Sequence, residues 1–143
     1  MVFPAAPVPA VGPTATSGHT HTMTSTDGPD VLSLVVDGVQ VTVPDDGGTL
    51  LDLLRDRLGN RSVKDGCSPQ GQCGCCTVLV DGQPRVSCVT PARRMAGRTV
   101  TTLEGLDPAE LTAWADAFCT TGGSQCGFCT PGIVVRFAGL RAS

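Results

Sequence analysis

Seven of the eight cysteines in this chain fall into two short groups, and both groups are rich in glycine. The first runs Gly66-Cys67-Ser68-Pro69-Gln70-Gly71-Gln72-Cys73-Gly74-Cys75-Cys76-Thr77, with Cys88 shortly after. The second runs Gln125-Cys126-Gly127-Phe128-Cys129-Thr130-Pro131-Gly132. Such spacing reads as metal ligation. Glycine between thiolates leaves backbone N–H groups uncovered and close to sulfur, which suits a [2Fe–2S] cluster because its bridging and ligand sulfurs carry negative charge. Gly66, Gly71 and Gly74 supply the backbone freedom such a loop needs.

The rest of the composition removes other classes. Aromatic residues make up 3% of the chain and the net charge is −3, so there is neither a stacking platform nor a basic face for nucleic acid. No apolar run is long enough to span a bilayer, because Leu50-Leu51-Asp52-Leu53-Leu54 and Ile133-Val134-Val135 are short and soon interrupted. The segment from Met1 to Val11 has no positive region and is broken by Pro4, Pro7 and Pro9, unlike a secretory signal. The expectation is therefore a cytoplasmic protein in which the cysteines do not pair as disulfides.

Residues 1–29 are rich in Pro, Ala, Thr, Ser and Gly without helical or strand periodicity, and are expected to be a disordered tail. His19 and His21 read as part of that tail rather than as ligands, and Met23 is an alternative start to Met1. From Val31 two β-rich runs, 31–36 and 39–43, flank Asp37-Gly38, a hairpin signature. Thr49 can cap a helix on Leu50, Leu53, Leu54 and Leu58, with Gly59 as its stop. After the cysteine loop, residues 77–80 and 85–89 around Asp81-Gly82 predict a second hairpin, with Cys88 on its returning strand, and 98–103 a fifth strand. This is an α+β sheet crossed by one helix. Asp107 or Pro108 opens a helix whose Leu111, Trp114, Ala115 and Phe118 share a face read as core. Gly122-Gly123 ends it, and Pro131 opens another through Ile133, Val134, Phe137 and Leu140. The predicted domains are 30–106 for the sheet and 107–143 for a partial helical unit.

Cys67, Cys73, Cys76 and Cys88 have the arrangement of a plant-type [2Fe–2S] ferredoxin, three thiolates in one loop and a fourth from a neighbouring segment. Five residues separate Cys67 from Cys73, one more than the usual C-x4-C-x2-C, and Pro69 and Gly71 can take up the extra residue in a wider turn. Cys75 and Cys76 cannot both be assigned by spacing alone, although only Cys76 keeps the x2 interval from Cys73. Cys75 reads as a small buried residue and Cys119 as incidental. A structural zinc site would also accept four cysteines, but it is usually built from two compact knuckles.

In order along the chain, Gly-Cys…Gly-Gln-Cys-Gly-x-Cys-Thr-Val at 66–78, Thr101-Thr102-Leu103-Glu104-Gly105-Leu106 and Gly123-Ser124-Gln125-Cys126-Gly127-Phe128-Cys129-Thr130-Pro131-Gly132 closely resemble the iron–sulfur subunit or domain of the molybdenum hydroxylases, the xanthine dehydrogenase and aldehyde oxidase family. The likeness covers about residues 31–140. It implies a ferredoxin-like β-grasp domain whose Cys67, Cys73, Cys76 and Cys88 hold an outer [2Fe–2S] cluster. A helical [2Fe–2S]-binding domain would follow, with Cys126 and Cys129 as half the ligands of an inner cluster and Gln125 at a position contacting the pterin. The resemblance places the other two inner ligands in a C-x-C pair after a further helix, a pair these 143 residues do not contain, so the sequence is expected to be a truncated piece of a longer subunit. It further implies an electron-transfer subunit with no catalytic residue of its own, working with a molybdopterin-binding catalytic subunit and a flavin (FAD) subunit. A freestanding one-cluster ferredoxin carrier and a structural zinc module are the alternatives.

Overall fold

A computed structural model describes residues 31–141. The tail 1–29, with His19, His21 and Met23, lies outside the described residues. Two hairpins and a return strand build a five-stranded mixed sheet in the order β2-β1-β5-β3-β4. Strand β1 (Val31–Val36) pairs antiparallel with β2 (Val39–Pro44), from Val31 opposite Pro44 to Val36 opposite Val39. Asp37 and Gly38 both take positive φ, +50° and +81°, the twist-compatible turn that the dipeptide announces. Asp81 and Gly82 repeat it at +49° and +78° between β3 (Thr77–Val80) and β4 (Gln83–Val86). Strand β5 (Thr99–Thr101) lies at the centre, parallel to β1 and antiparallel to β3. The α+β class and the β-grasp layout expected from the sequence are what the chain adopts.

Leu32, Leu34 and Val36 point alternately inward from β1, as period-two burial requires. They meet Leu50, Leu51, Leu53 and Leu54 of the crossing helix. That helix opens at Thr49 with a capping box: Thr49 Oγ1 accepts from Asp52 N–H, and the Asp52 carboxylate accepts from Thr49 N–H at 3.0 Å. Its first turn, α1 (Leu50–Asp52), passes into a π-helical turn over Leu53–Arg57, so the simple helical period of the leucines does not persist to the Gly59 stop.

Three further expectations need correction. Strand β4 starts at Gln83 and ends at Val86, and Ser87–Val89 form a 3-10 turn, so Cys88 is not on a strand. Apolar alternation at 85–89 misled because Ser87 is buried, its hydroxyl donating to Cys76 C=O, and the chain leaves the strand there for the 3-10 turn. Strand β5 is three residues long rather than six. Trp114 and Phe118 of α2 (Pro108–Thr121) are half-buried, and that helix has no fully buried residue.

Helix α3 (Thr130–Arg141) lies on the β3–β4 hairpin through its small residues. A Cβ on Gly139 would come within 2.6 Å of Leu79 Cδ2 and 2.8 Å of Pro84 Cγ. Val135 and Ala138 fill the remaining contact, while Ile133, Phe137 and Leu140 are at least 37% exposed. The face of α3 that packs is therefore the one with the small residues, and of the expected row of apolar residues only Val134 is buried. Val134, Val135 and Ala138 join Leu79 and Leu106 in a second, smaller apolar cluster, flanked by Leu103, Leu111, Trp114 and Phe118. Trp114 stacks on Phe137 at 5.7 Å between centroids.

A polar network ties the segment before the cysteine loop to the end of β5. Glu104 accepts from Ser62 at 2.5 Å, Thr102 at 2.8 Å and Asn60 at 3.1 Å. Thr102 is fully buried, and its hydroxyl and N–H both reach the Asp37 carboxylate at 2.7 Å.

Gly139→Val is expected to lift α3 from the hairpin and destabilise the fold by about 1–3 kcal/mol, the usual range for overpacking, read as a lower denaturation midpoint. Partial burial works to raise the Glu104 pKa, but the hydrogen bonds from Ser62, Thr102 and Asn60 outweigh it and hold it below 4.5. A carboxyl held low contributes stability that is complete above its ordinary value and is lost as pH falls through its folded value. Glu104→Gln should therefore cost about 1 kcal/mol near neutrality and flatten the acid limb of a stability-versus-pH curve.

Candidate iron–sulfur centres

The outer loop leaves the sheet layer after Val63 and returns at Thr77, and its ends are pinned. Lys64 N–H donates to Cys75 C=O at 3.2 Å, and Thr77 N–H and hydroxyl donate to Gly74 C=O at 3.1 and 2.7 Å. The additional residue between Cys67 and Cys73 is absorbed by left-handed backbone at Ser68 (φ +43°) and Gly71 (φ +67°). Ser68 tolerates that conformation because Asp65 accepts from both its N–H and its hydroxyl at 3.1 Å.

At the loop and the 3-10 turn beside it, the thiols meet as two pairs. Cys67 sits against Cys73, and the N–H groups of Cys73, Gln72 and Gln70 face its sulfur and pull its pKa down to about 6. Cys88 sits against Cys76, both buried; burial first, and then the Cys76 thiol, push its pKa up to about 11, against an opposing N–H from Gly71. Gly66 closes the cradle: a Cβ there would lie 2.9 Å from Cys73 Sγ and 3.2 Å from Cys75 Sγ. Among the described residues, no three His, Cys, Asp or Glu side chains surround one point. A binuclear cluster presents two irons, each taking two thiolates, and paired thiols, inward N–H groups and an open glycine cradle fit that requirement. When bound, such a cluster supplies storage of one electron at a time.

Cys75 is buried beside the loop, its thiol 3.9 Å from Cys73 C=O. Desolvation, followed by the neighbouring Cys73, Cys129 and Cys76 sulfurs, pushes its pKa up to about 11. The second cysteine group is thus close to the first. Cys126, Cys129 and Gln125 are exposed in the turn that enters α3, where Gly127 has φ +75° and Thr130 N–H donates to its C=O. Phe128 Cε1 approaches to 3.3 Å of the point a Gly66 Cβ would occupy. Gly132 packs onto the outer loop so closely that a Cβ would collide with Gly74 O and lie 2.9 Å from Cys75 Cα. The structure thus gathers Cys67, Cys73, Cys76 and Cys88 together and sets Cys129 beside them next to Cys75, while Cys126 and Gln125 are exposed in the turn before α3. Sequence reading did not single out Gly132 or Phe128 as the link between the groups. A glycine at the first turn of a helix that follows a cysteine pair was the available signal.

A β-grasp sheet with a thiol-lined, amide-rich loop, followed by two helices with a further thiol pair in the turn between them, defines an iron–sulfur protein. A family model described as "2Fe-2S iron-sulfur cluster binding domain" matches residues 34–106, and one described as "[2Fe-2S] binding domain" matches residues 102–143. The chain is 44% identical over 110 residues to an aldehyde oxidoreductase from Megalodesulfovibrio gigas, covering 75% of this chain and 12% of that protein. It is 41% identical over 92 residues to the nicotinate dehydrogenase small FeS subunit of Eubacterium barkeri, covering 64% of this chain and 58% of that subunit. Among solved structures, quinoline 2-oxidoreductase from Pseudomonas putida superimposes with a TM-score of 0.66 at 39% identity, over 73% of this chain and 65% of that one. The chain belongs to the 2Fe–2S cluster-binding family, as an iron–sulfur member of the molybdenum hydroxylase group that includes aldehyde oxidoreductase and xanthine dehydrogenase. It spans a little over half of its small-subunit relative and a small fraction of the large enzymes.

In the metal-free chain, iodoacetamide at pH 7 is expected to alkylate Cys67 ahead of Cys75 and Cys88, because only the first is largely thiolate there. Peptide mapping by mass spectrometry after a short pulse reads the order directly.

Proposed function

We propose that this chain is a cytoplasmic electron-transfer subunit or domain that passes single electrons from a molybdopterin centre in a partner chain toward a flavin or another acceptor. Cys67, Cys73, Cys76 and Cys88 are the ligands of its outer cluster. Cys126 and Cys129 are two of the four ligands of an inner one, with Gln125 at the pterin side. The β-grasp domain is assigned to 30–106 and the helical domain to 107–143.

The observation that carries this reading is the seating of the second cysteine group on the first, through Gly132 against Gly74 and Cys75 and through Phe128 against Gly66. A carrier with one redox site has no use for a second thiol pair built onto the flank of its ligand loop. The chain's own residues set the environment. Amide N–H groups of residues 70, 72 and 73 stabilise negative sulfur at the Cys67 side. Burial at Cys76 and Cys88 keeps water from the other side. Exposure of Cys126, Cys129 and Gln125 leaves the inner face open to the two further ligands that complete it.

Anaerobically purified chain should contain acid-labile sulfide and, once reduced, give a rhombic [2Fe–2S] EPR signal. Serine at 67, 73, 76 or 88 should abolish that signal, and serine at 126 or 129 should leave it intact while removing any second signal. Bound zinc with no labile sulfide would overturn the proposal in favour of a structural metal module. A single signal untouched by partner subunits would leave a one-cluster carrier.

A further inference from the structure

The face of the sheet edge beside the outer loop carries a cavity of about 290 Å³ that electron transfer within the chain does not use. Its wall is formed by Val80, Val89 and Met95, of which Val80 and Met95 are buried. Arg85, Arg94 and Arg98 line it as well. Arg98 donates to the Asp81 carboxylate at 2.7 Å, and that carboxylate is further held by Thr99 N–H at 3.0 Å. Among the described residues, no salt bridge pairs Arg85 or Arg94. Three guanidinium groups and one carboxylate leave two positive charges at the cavity.

This concentration runs against the rest of the chain. Residues 80–101 hold four arginines, counting Arg93, and one acid, for a charge of +3, whereas the whole chain carries −3 and the remainder therefore −6. Like charges gathered at one cavity repel, and an anion relieves that cost. Guanidinium forks match the oxygens of carboxylate and phosphate alike. Charge separates the two: a carboxylate neutralises half of the surplus, whereas a phosphoryl group carries about −1.5 to −2 at pH 7 and presents three acceptor oxygens.

We propose that the Arg85–Arg94–Arg98 cavity is a binding site for a phosphoryl group, borne by free pyrophosphate or by a nucleotide. Val89 is its shared wall with the redox site, since the Val89 Cγ1 methyl lies 3.2 Å from the point a Gly71 Cβ would occupy. A bound phosphoryl group sits one side chain away from the outer cysteine loop.

Isothermal titration calorimetry of the purified chain at low ionic strength, with inorganic pyrophosphate and separately with ADP, tests the site without reference to electron transfer. Saturable one-to-one binding is expected, weakened about tenfold or more in the Arg85→Gln/Arg94→Gln variant, in line with loss of charge-assisted hydrogen bonds. Arg93→Gln, outside the cavity, should bind as the parent does, and circular dichroism should show both variants folded. Tighter binding of ADP assigns the phosphoryl group to a nucleotide, and equal or weaker binding of ADP assigns it to free pyrophosphate. Absence of saturable binding by either probe overturns the proposal. So does an equal loss in Arg93→Gln, which would reduce the effect to diffuse charge.

Discussion

Sulfur anions repel one another, and backbone amides turned toward them are what make a four-thiol site tolerable in this chain. Three N–H groups converge on Cys67 and hold it in the thiolate range. They can do so because the backbone reverses hand at Ser68 and Gly71, and because Gly66 adds no Cβ to the space the sulfurs share. The opposite pair, Cys76 and Cys88, lacks that concentration of donors and is buried instead. Amides lower the cost of charge on one side of the site, and burial raises it on the other. The two halves are thus electrostatically unequal before any ligand arrives, and the side richer in donors is the one better able to accommodate added negative charge.

That arrangement depends on the sheet for its geometry. Cys76 stands immediately before β3, and Ser87, fully buried, ties its carbonyl to the 3-10 turn that carries Cys88. The hairpin β3–β4 therefore fixes the Cys76–Cys88 separation. The same hairpin receives α3, through Leu79 and Pro84 against Gly139 and through the loop carbonyl of Gly74 against Gly132. One two-stranded element thereby sets both the outer site and the seat of the second thiol pair. Any side chain at 132 must move backbone, not a flexible tip, which makes that position far less forgiving than an ordinary helix surface.

The parts of this architecture legible in sequence were those specified by local chemistry. Asp37-Gly38 and Asp81-Gly82 announce their turns because few other dipeptides accept two positive φ values. Thr49 announces a helix start, and the thiol spacing announces the loop. What escaped reading depends on tertiary contacts. Residues 85–89 alternate like a strand, yet Ser87 turns in to reach Cys76 C=O, and the chain curls into a 3-10 turn. Of the expected face Ile133, Val134, Phe137 and Leu140, only Val134 is buried, and the helix packs on Gly132, Val135 and Gly139 besides, because close approach to the hairpin rewards small residues over large ones. Hydrophobic period alone cannot distinguish those two faces. The Arg cavity likewise draws from β4, a 3-10 turn and the entry to β5, segments whose charges are unremarkable one at a time.

The division of the apolar core bears on how the two thiol groups keep their relation. The larger cluster joins the sheet to the crossing helix, while the smaller one holds α3 and leaves α2 with only half-buried contacts from Leu111, Trp114 and Phe118. Beside these residues lies an apolar cavity of about 410 Å³, also reached by Leu103 and Val134. Segments with few buried contacts open at lower free energy than the core. By that measure α2 is the less secure of the two helices. Cys126 and Cys129 are on the α3 side of the Gly122-Gly123 break, and Cys129 C=O already accepts from Ile133 N–H in the first turn of α3. The second thiol pair is thus anchored by the helix that the sheet holds, so its distance from the outer loop survives even when α2 loosens.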